Sequence, residues 1–231
     1  MVSISRSMLG RLAATLGASA LLTAGLAPAA LAQDAAPAAN DTSVNLNEVQ
    51  EATNNGSVPA DVAEGLNQGI DAAKKAAPSD GSVPIPSKEE VPRNNKFLLP
   101  SISLKCIGGK SPSFGMTTTI PGPSQLPLPG VKEGQLAFIF TGLGTKGVSE
   151  NQQTEMNVSW YNLSNGRAGK TKLTNELGIN AENGPGTVAG IADTGNGLVA
   201  AAITGGFTSP EDGGDANCNY TANFGLFPVH P

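Results

Sequence analysis

Met156-Asn157-Val158-Ser159-Trp160-Tyr161-Asn162-Leu163-Ser164-Asn165-Gly166-Arg167-Ala168-Gly169-Lys170-Thr171-Lys172-Leu173 is the stretch on which the fold turns. Asn165-Gly166 is the favoured dipeptide of a two-residue type I′ turn, because both central positions need positive φ. Such a turn sets Ser164 against Arg167, Tyr161 against Lys170, Trp160 against Thr171 and Val158 against Leu173. Met156, Val158, Trp160 and Leu173 then share an apolar face, while Ser159, Tyr161, Lys170 and Lys172 share a polar one. Turn chemistry and polarity agree on an antiparallel hairpin with one face toward a core.

The same period extends in both directions. Ile102, Leu104 and Cys106 alternate with Ser101, Ser103 and Lys105, and Phe114, Met116, Thr118 and Ile120 repeat the pattern. Both sets are expected to form half-buried strands. Leu136 to Phe140 is apolar at every position, as in a central strand. A second hairpin is expected over 187–204, turning through Asp193-Thr194-Gly195-Asn196-Gly197, with Ala189, Ala200, Ala201 and Ala202 packed closely under another layer. A last strand from Cys218 to Phe227 puts Cys218, Tyr220, Ala222, Phe224 and Leu226 on one face. Residues 120–130, rich in Pro, read as a polyproline II connection between sheets, with Leu126 and Leu128 covering an edge. About eight short strands with frequent Gly and Pro breaks predict an all-β domain over 97–231, a two-sheet sandwich or open barrel.

The rest of the chain has another character. All ten aromatic residues lie at or after Phe97. Residues 33–96 carry 10 acidic and five basic groups among Ala, Asn, Pro and Ser, a composition of disordered or linker segments. One helix is expected there over 59–77, where Val62, Leu66, Ile70 and Ala73 recur at helical spacing and Lys74, Lys75 and Pro78 mark the end. Gly65 and Gly69 each weaken it by about 1 kcal/mol. The helix is expected either to rest on the β domain or to fluctuate in solution, rather than to bind a partner. Residues 1–32 read as a signal peptide: Arg6 and Arg11, an uncharged run from Leu12 to Leu26, then Ala30-Leu31-Ala32 before Gln33. Cleavage between Ala32 and Gln33 removes both arginines and takes the net charge from −5 to −7. No later stretch is long and apolar enough for a transmembrane helix. In an exported chain, Cys106 and Cys218 are expected to pair and close the β domain.

Composition excludes much chemistry. One His and two Cys cannot build a His- or Cys-rich zinc cage, and an acidic chain lacks the basic face of a nucleic-acid binder. Gly142-Leu143-Gly144-Thr145-Lys146-Gly147 matches a dinucleotide-binding pattern but leads into no helix, and Gly169-Lys170-Thr171 lies inside the hairpin. His230 reads as a solvated tail residue, and no G-x-S-x-G elbow occurs. No catalytic residue and no cofactor are assigned. Two arrangements remain to be placed in space. Glu155 with Asp193 or Glu150 is the candidate carboxylate pair of a small extracellular hydrolase. Asp212, Asp215 and Asn217 in a Gly-rich loop are candidate ligands of a weakly held Ca²⁺.

The export signal, the acidic lead and a disulfide-closed β domain with Trp160-Tyr161-Asn162-Leu163 before Asn165-Gly166-Arg167 resemble exported cell-envelope proteins of actinobacteria, of the corynebacterial and mycobacterial type. The resemblance implies an envelope address and transfers no catalytic residue. The expected function is an exported, non-enzymatic interaction domain for an envelope protein, glycan or lipid. Its contact face is expected at Tyr161, Lys170 and Lys172, where a cation over an aromatic ring adds about 0.5–1 kcal/mol. The alternatives are the hydrolase and an envelope lipid carrier, which needs an apolar cavity of roughly 300–1,000 Å³.

Overall fold

A computed structural model describes residues 43–86, 97–179 and 184–231, so the signal sequence and its cleavage site lie outside the described residues. The chain builds β1 (Ser43–Asn45), α1 (Leu46–Asn54), α2 (Ala60–Lys74), β2 (Ser82–Pro84), β3 (Ser101–Ile107), β4 (Ser111–Pro121), β5 (Leu136–Leu143), β6 (Met156–Asn162), β7 (Ala168–Leu173), β8 (Gly186–Ala192), β9 (Gly197–Glu211) and β10 (Gly214–Val229). Eight strands form two four-stranded antiparallel sheets, ordered β10-β9-β6-β7 and β3-β4-β5-β8. The fold is an all-β, disulfide-closed sandwich.

The sheets join along both edges. On one, Cys106 and Cys218 are bonded with their Cα atoms 4.6 Å apart, and Ile102 N donates to Thr221 Oγ1 at 3.0 Å. On the other, Thr174 and Ala189 exchange backbone hydrogen bonds of 3.0 and 2.7 Å. Between the sheets lie Phe138, Phe140, Phe207, Phe227, Trp160 and the disulfide. Phe140 packs edge-on to Tyr220 with ring centroids 4.7 Å apart, and Phe97 meets Phe227 at 4.9 Å. Large side chains of one layer are met by small ones of the other. A Cβ on Gly115 would lie 3.1 Å from Tyr220 Cδ1 of the facing sheet and 2.2 Å from Phe140 Cζ of the neighbouring strand, and one on Gly142 would lie 2.3 Å from the Tyr220 hydroxyl.

The β6–β7 hairpin is present with the expected faces: Met156, Val158, Trp160 and Leu173 all enter the core. Its register differs by two residues, with Val158 opposite Thr171 and Trp160 opposite Gly169. Asn162 is the reason. Its buried Oδ1 accepts from Ser164 N (2.9 Å) and Asn165 N (3.3 Å), and its Nδ2 donates to the carbonyls of Thr194, Gly195 and Asn196. The side chain pins a four-residue loop where the dipeptide alone implied two. A two-residue slip preserves parity, so the faces survive.

Three other expectations are corrected. Residues 187–204 are not a hairpin, because β8 pairs with β5 while β9 pairs with β6 and β10, and residues 193–197 cross between sheets. β10 does not keep one face. Its register shifts between Tyr220 and Asn223, so Cys218 and Tyr220 enter the core while Phe224 and Leu226 turn outward under the helices. The Pro-rich stretch extends the β4–β5 hairpin within one sheet, and Leu126 and Leu128 are exposed on it.

Residues 43–86 are better ordered than a linker composition implies. The expected helix is α2, and α1 joins it, started by Asn45, whose Oδ1 accepts from Asn47 N at 2.8 Å. Leu46, Val49, Val62, Leu66 and Ile70 pack with Tyr161, Ala200, Ala202, Phe224 and Leu226 on the outer face of β6, β9 and β10. These apolar residues are too few to make a core among themselves, but they need only complete one that the sheet half supplies. Gly65 and Gly69 allow the contact. A Cβ at Gly65 would lie 2.2 Å from Ser159 Oγ, and one at Gly69 would lie 2.4 Å from Ala202 Cβ and 2.9 Å from the Asn223 carbonyl. The close packing expected of the Ala-rich strand is therefore the packing of α2 on β9.

Candidate functional site

Among the described residues no helix packs on the second sheet. On β4 the residues turned inward are Ser113, Gly115, Thr117 and Thr119, and those turned outward are Phe114, Met116, Thr118 and Ile120. On β3, Ser101 and Ser103 are buried while Ile102 and Leu104 face out, and a register shift then brings Cys106 inside. Alternation correctly assigns residues to faces, but the apolar face is the outer one. The inner positions are small because Phe140, Phe207 and Tyr220 already fill the space beneath them.

Strand pairing assembles the outward side chains into one surface. Phe114 lies opposite Ile102 on β3 and Leu143 on β5, Thr118 opposite Ile139, and Ile139 opposite Ala189 on β8. Leu104, Phe114, Met116 and Leu143 are 75%, 51%, 46% and 41% exposed, and Leu126 and Leu128 beyond the sheet end are 63% and 68% exposed. Two of the outward hydroxyls are satisfied locally: Thr141 and Thr187 bond each other at 3.1 Å and Thr187 donates to the Pro185 carbonyl. The four strands and the β3–β4 turn contain no Asp or Glu, only Lys105 and Lys110. On β5 and β8 the outward Ala137, Thr187 and Ala189 are buried, so the open part of the face is β3, β4 and the Leu143 end of β5. Three strands over seven residues give a footprint of roughly 300 Å², the lower end of the range of about 300–600 Å² for the largest apolar patch on a monomer, often a functional one.

The residues singled out from the sequence fall elsewhere. Tyr161 is buried beneath the helices, so it cannot form an open contact face with Lys170 and Lys172. Lys170 is exposed, and Lys172 Nζ binds Glu155 Oε1 at 2.6 Å. The error follows from treating the polar face of the hairpin as solvent-facing, when residues 46–73 supply its cover. Asp212, at the tip of the β9–β10 hairpin, pairs with Lys146. Asp215 accepts from Ser149 Oγ at 3.0 Å, and Asn217 accepts from Thr208 Oγ1 at 2.8 Å and donates to Gln153 at 3.1 Å. Each is engaged with a loop neighbour, and among the described residues no group of three or more His, Cys, Asp or Glu is arranged to hold a metal ion. The neighbouring Glu211 is buried and joins three segments, accepting from Ser209 Oγ, Lys146 N and Gly108 N.

Glu155 and Asp193 are not brought together. Glu155 precedes β6, whereas Asp193 bonds Gln135 beside the loops held by Asn162 at the far end of that strand, roughly 23 Å away along the chain direction. Glu150 is exposed on the loop before β6. The cleft beside Glu155, which Glu176 also lines, holds about 170 Å³. The hydrogen bond and charge of Lys172 hold the Glu155 carboxyl below its usual range, opposite to the shift a general acid needs. His230 is half-buried with an unpaired Nε2, not a solvated tail.

Tyr220 is the group most perturbed by its setting. Its hydroxyl shares a 2.8 Å hydrogen bond with Ser113 Oγ, which donates to the Leu143 carbonyl, and lies 3.8 Å from Cys106 Sγ. Burial pushes its pKa up to about 12, against the partly opposing bond from Ser113. It is a neutral core group that anchors the inner side of β4.

The open apolar face was missed because a strand pattern does not say which side meets the core. One signal was present: every inward residue of β4 is small or polar while Phe114 and Met116 lie opposite. Among the described residues no helix is long and apolar enough to cross a membrane, and the Cys106–Cys218 disulfide fits an extracytoplasmic protein. No family model, no curated protein and no solved structure matches the chain.

Proposed function

We propose that this chain is an exported, non-enzymatic binding module of the cell envelope that docks through the outer face of β3, β4 and the adjoining Leu143 end of β5. One observation carries the proposal: Leu104, Phe114, Met116 and Leu143 form a contiguous exposed surface on a sheet whose opposite number is sealed by its own helices. Large apolar side chains in water forgo transfer free energy, and a fold that covers one sheet so closely has the means to cover the other. The disulfide and the signal-like sequence support the extracytoplasmic address. The hydrolase reading is disfavoured by the separation of Glu155 from Asp193. The carrier reading is disfavoured by Phe138, Phe140, Phe207 and Phe227, which occupy the space between the sheets where a lipid would sit.

The test is retention. Phe114→Ser/Leu143→Ser should move the protein from the envelope fraction of the producing cell to the culture fluid, with unchanged urea midpoint. Equal distribution of wild type and variant would count against docking by this face.

A further inference from the structure

We infer that the occupant of the open face is the acyl-chain region of a phospholipid surface, an inference that rests on the docking role proposed above. Three features of the face choose among occupants. The first is area. A stable protein–protein interface buries about 800 Å² on each partner, more than twice the footprint of roughly 300 Å² that β3, β4 and the end of β5 leave open. A second copy of the chain packed on this face would fall short of a stable dimer.

The second is composition. Protein interfaces are anchored by Trp, Tyr and Arg, but Trp160, Tyr161 and Tyr220 are buried in the protein's own cores and Arg167 lies in the β6–β7 loop. The open face offers aliphatic, Phe and Met side chains, and its Thr141 and Thr187 hydroxyls are satisfied within the face. Hydrocarbon is a medium that asks for no hydrogen-bond partner and no shaped pocket.

The third is the distribution of charge across the molecule. The helical layer on the opposite side exposes Glu48, Glu51, Asp61, Glu64 and Asp71. The open sheet has no carboxylate, and its exposed charges are Lys105 on the edge strand and Lys110 in the adjoining turn. A lipid surface with anionic headgroups attracts the second side and repels the first, so the sandwich would lie with its helices toward water. Leu126 and Leu128, on the loop that prolongs β4 and β5, would enter the same layer, beside Lys132 and Glu133, whose charges cancel.

Vesicle flotation tests this with the mature chain and vesicles of equal parts phosphatidylcholine and phosphatidylglycerol. Wild type should float, and Phe114→Ser/Leu143→Ser should lower the partition coefficient at least tenfold while keeping the wild-type circular dichroism spectrum. Lys105→Ala/Lys110→Ala should lower it about fivefold per lysine at low salt, an effect that added salt removes. Three outcomes overturn the lipid assignment. If both wild type and the serine variant float equally, contact is made elsewhere. If wild type does not float but sediments as a dimer that the serine variant abolishes, the face docks on a second copy and only the lipid assignment falls. If wild type neither floats nor self-associates and both forms leave the envelope fraction equally, the docking role falls with it.

Discussion

The two outer faces of the sandwich are solved in opposite ways. On β6, β9 and β10 the sheet presents Ser159, Ala200 and Ala202, and α2 lays Gly65 and Gly69 against them. Small meets small, and Leu66 and Ile70 are driven to complete burial beside the contact. On β3, β4 and β5 the sheet presents Leu104, Phe114, Met116 and Leu143, and among the described residues no helix lies over them. Close complementarity marks a surface that folding itself consumes. A protruding apolar surface without it is available to something outside the chain.

The largest contrast should come from truncation on the covered side. Leu66→Ala leaves a cavity between α2 and the sheet and should cost about 2–5 kcal/mol in urea unfolding. A loss under about 0.5 kcal/mol would mean the helical layer is not docked. High pH probes the inner side of the open sheet. The Tyr220 pKa rises from 10.0 unfolded to about 12 folded, so the folded state keeps a proton that the unfolded state releases. The associated stability is intact below pH 10 and is lost as pH rises toward 12, by about 2–3 kcal/mol. In Tyr220→Phe that part of the alkaline slope should vanish, and an unchanged slope would assign it to other groups.

Gly69→Ala sharpens the same comparison. Alanine favours a helix by about 1 kcal/mol, yet its Cβ would press on Ala202 and the Asn223 carbonyl. A net loss of about 1–3 kcal/mol is expected, and a gain would show that α2 stands off the sheet. Ser159→Ala should be neutral or stabilising by up to about 1 kcal/mol, because its buried hydroxyl has no partner. A clear loss in thermal unfolding would reveal a bond that the geometry does not contain. Smallest of all, Lys172→Met should leave the midpoint unchanged, since its pair with Glu155 is exposed.

Much of this architecture was legible in the residues, and the misses have physical causes. The period of two identified which residues share a face in β3, β4 and β6, because parity is a property of the strand alone. It could not say which face of β3 and β4 meets the core, because that depends on the bulk of Phe140, Phe207 and Tyr220 arriving from other strands. The two-residue slip of the β6–β7 hairpin came from Asn162, whose amide binds a loop more than thirty residues away. The break in β10 between Tyr220 and Asn223 lies where Asn223 turns to Leu99, accepting from its N–H at 3.0 Å. α1 was legible in principle, since Asn45 followed by Glu48, with Leu46, Val49 and Thr53 at helical spacing, is a helix start. The candidate contact residue Tyr161 was misplaced for a related reason: residues 46–73, set aside as linker with one helix, are what cover it.

Whether the β3–β4 face is open in the free chain is read most directly from the fluorescence of anilinonaphthalene sulfonate added to the folded protein. The dye should bind wild type under conditions where thermal unfolding is cooperative, and Phe114→Ser/Leu143→Ser should abolish the signal without moving the melting temperature. Failure of wild type to bind, or equal binding by the variant, would mean that the open face is closed in the free chain and that both sides of the sandwich are consumed by its own fold.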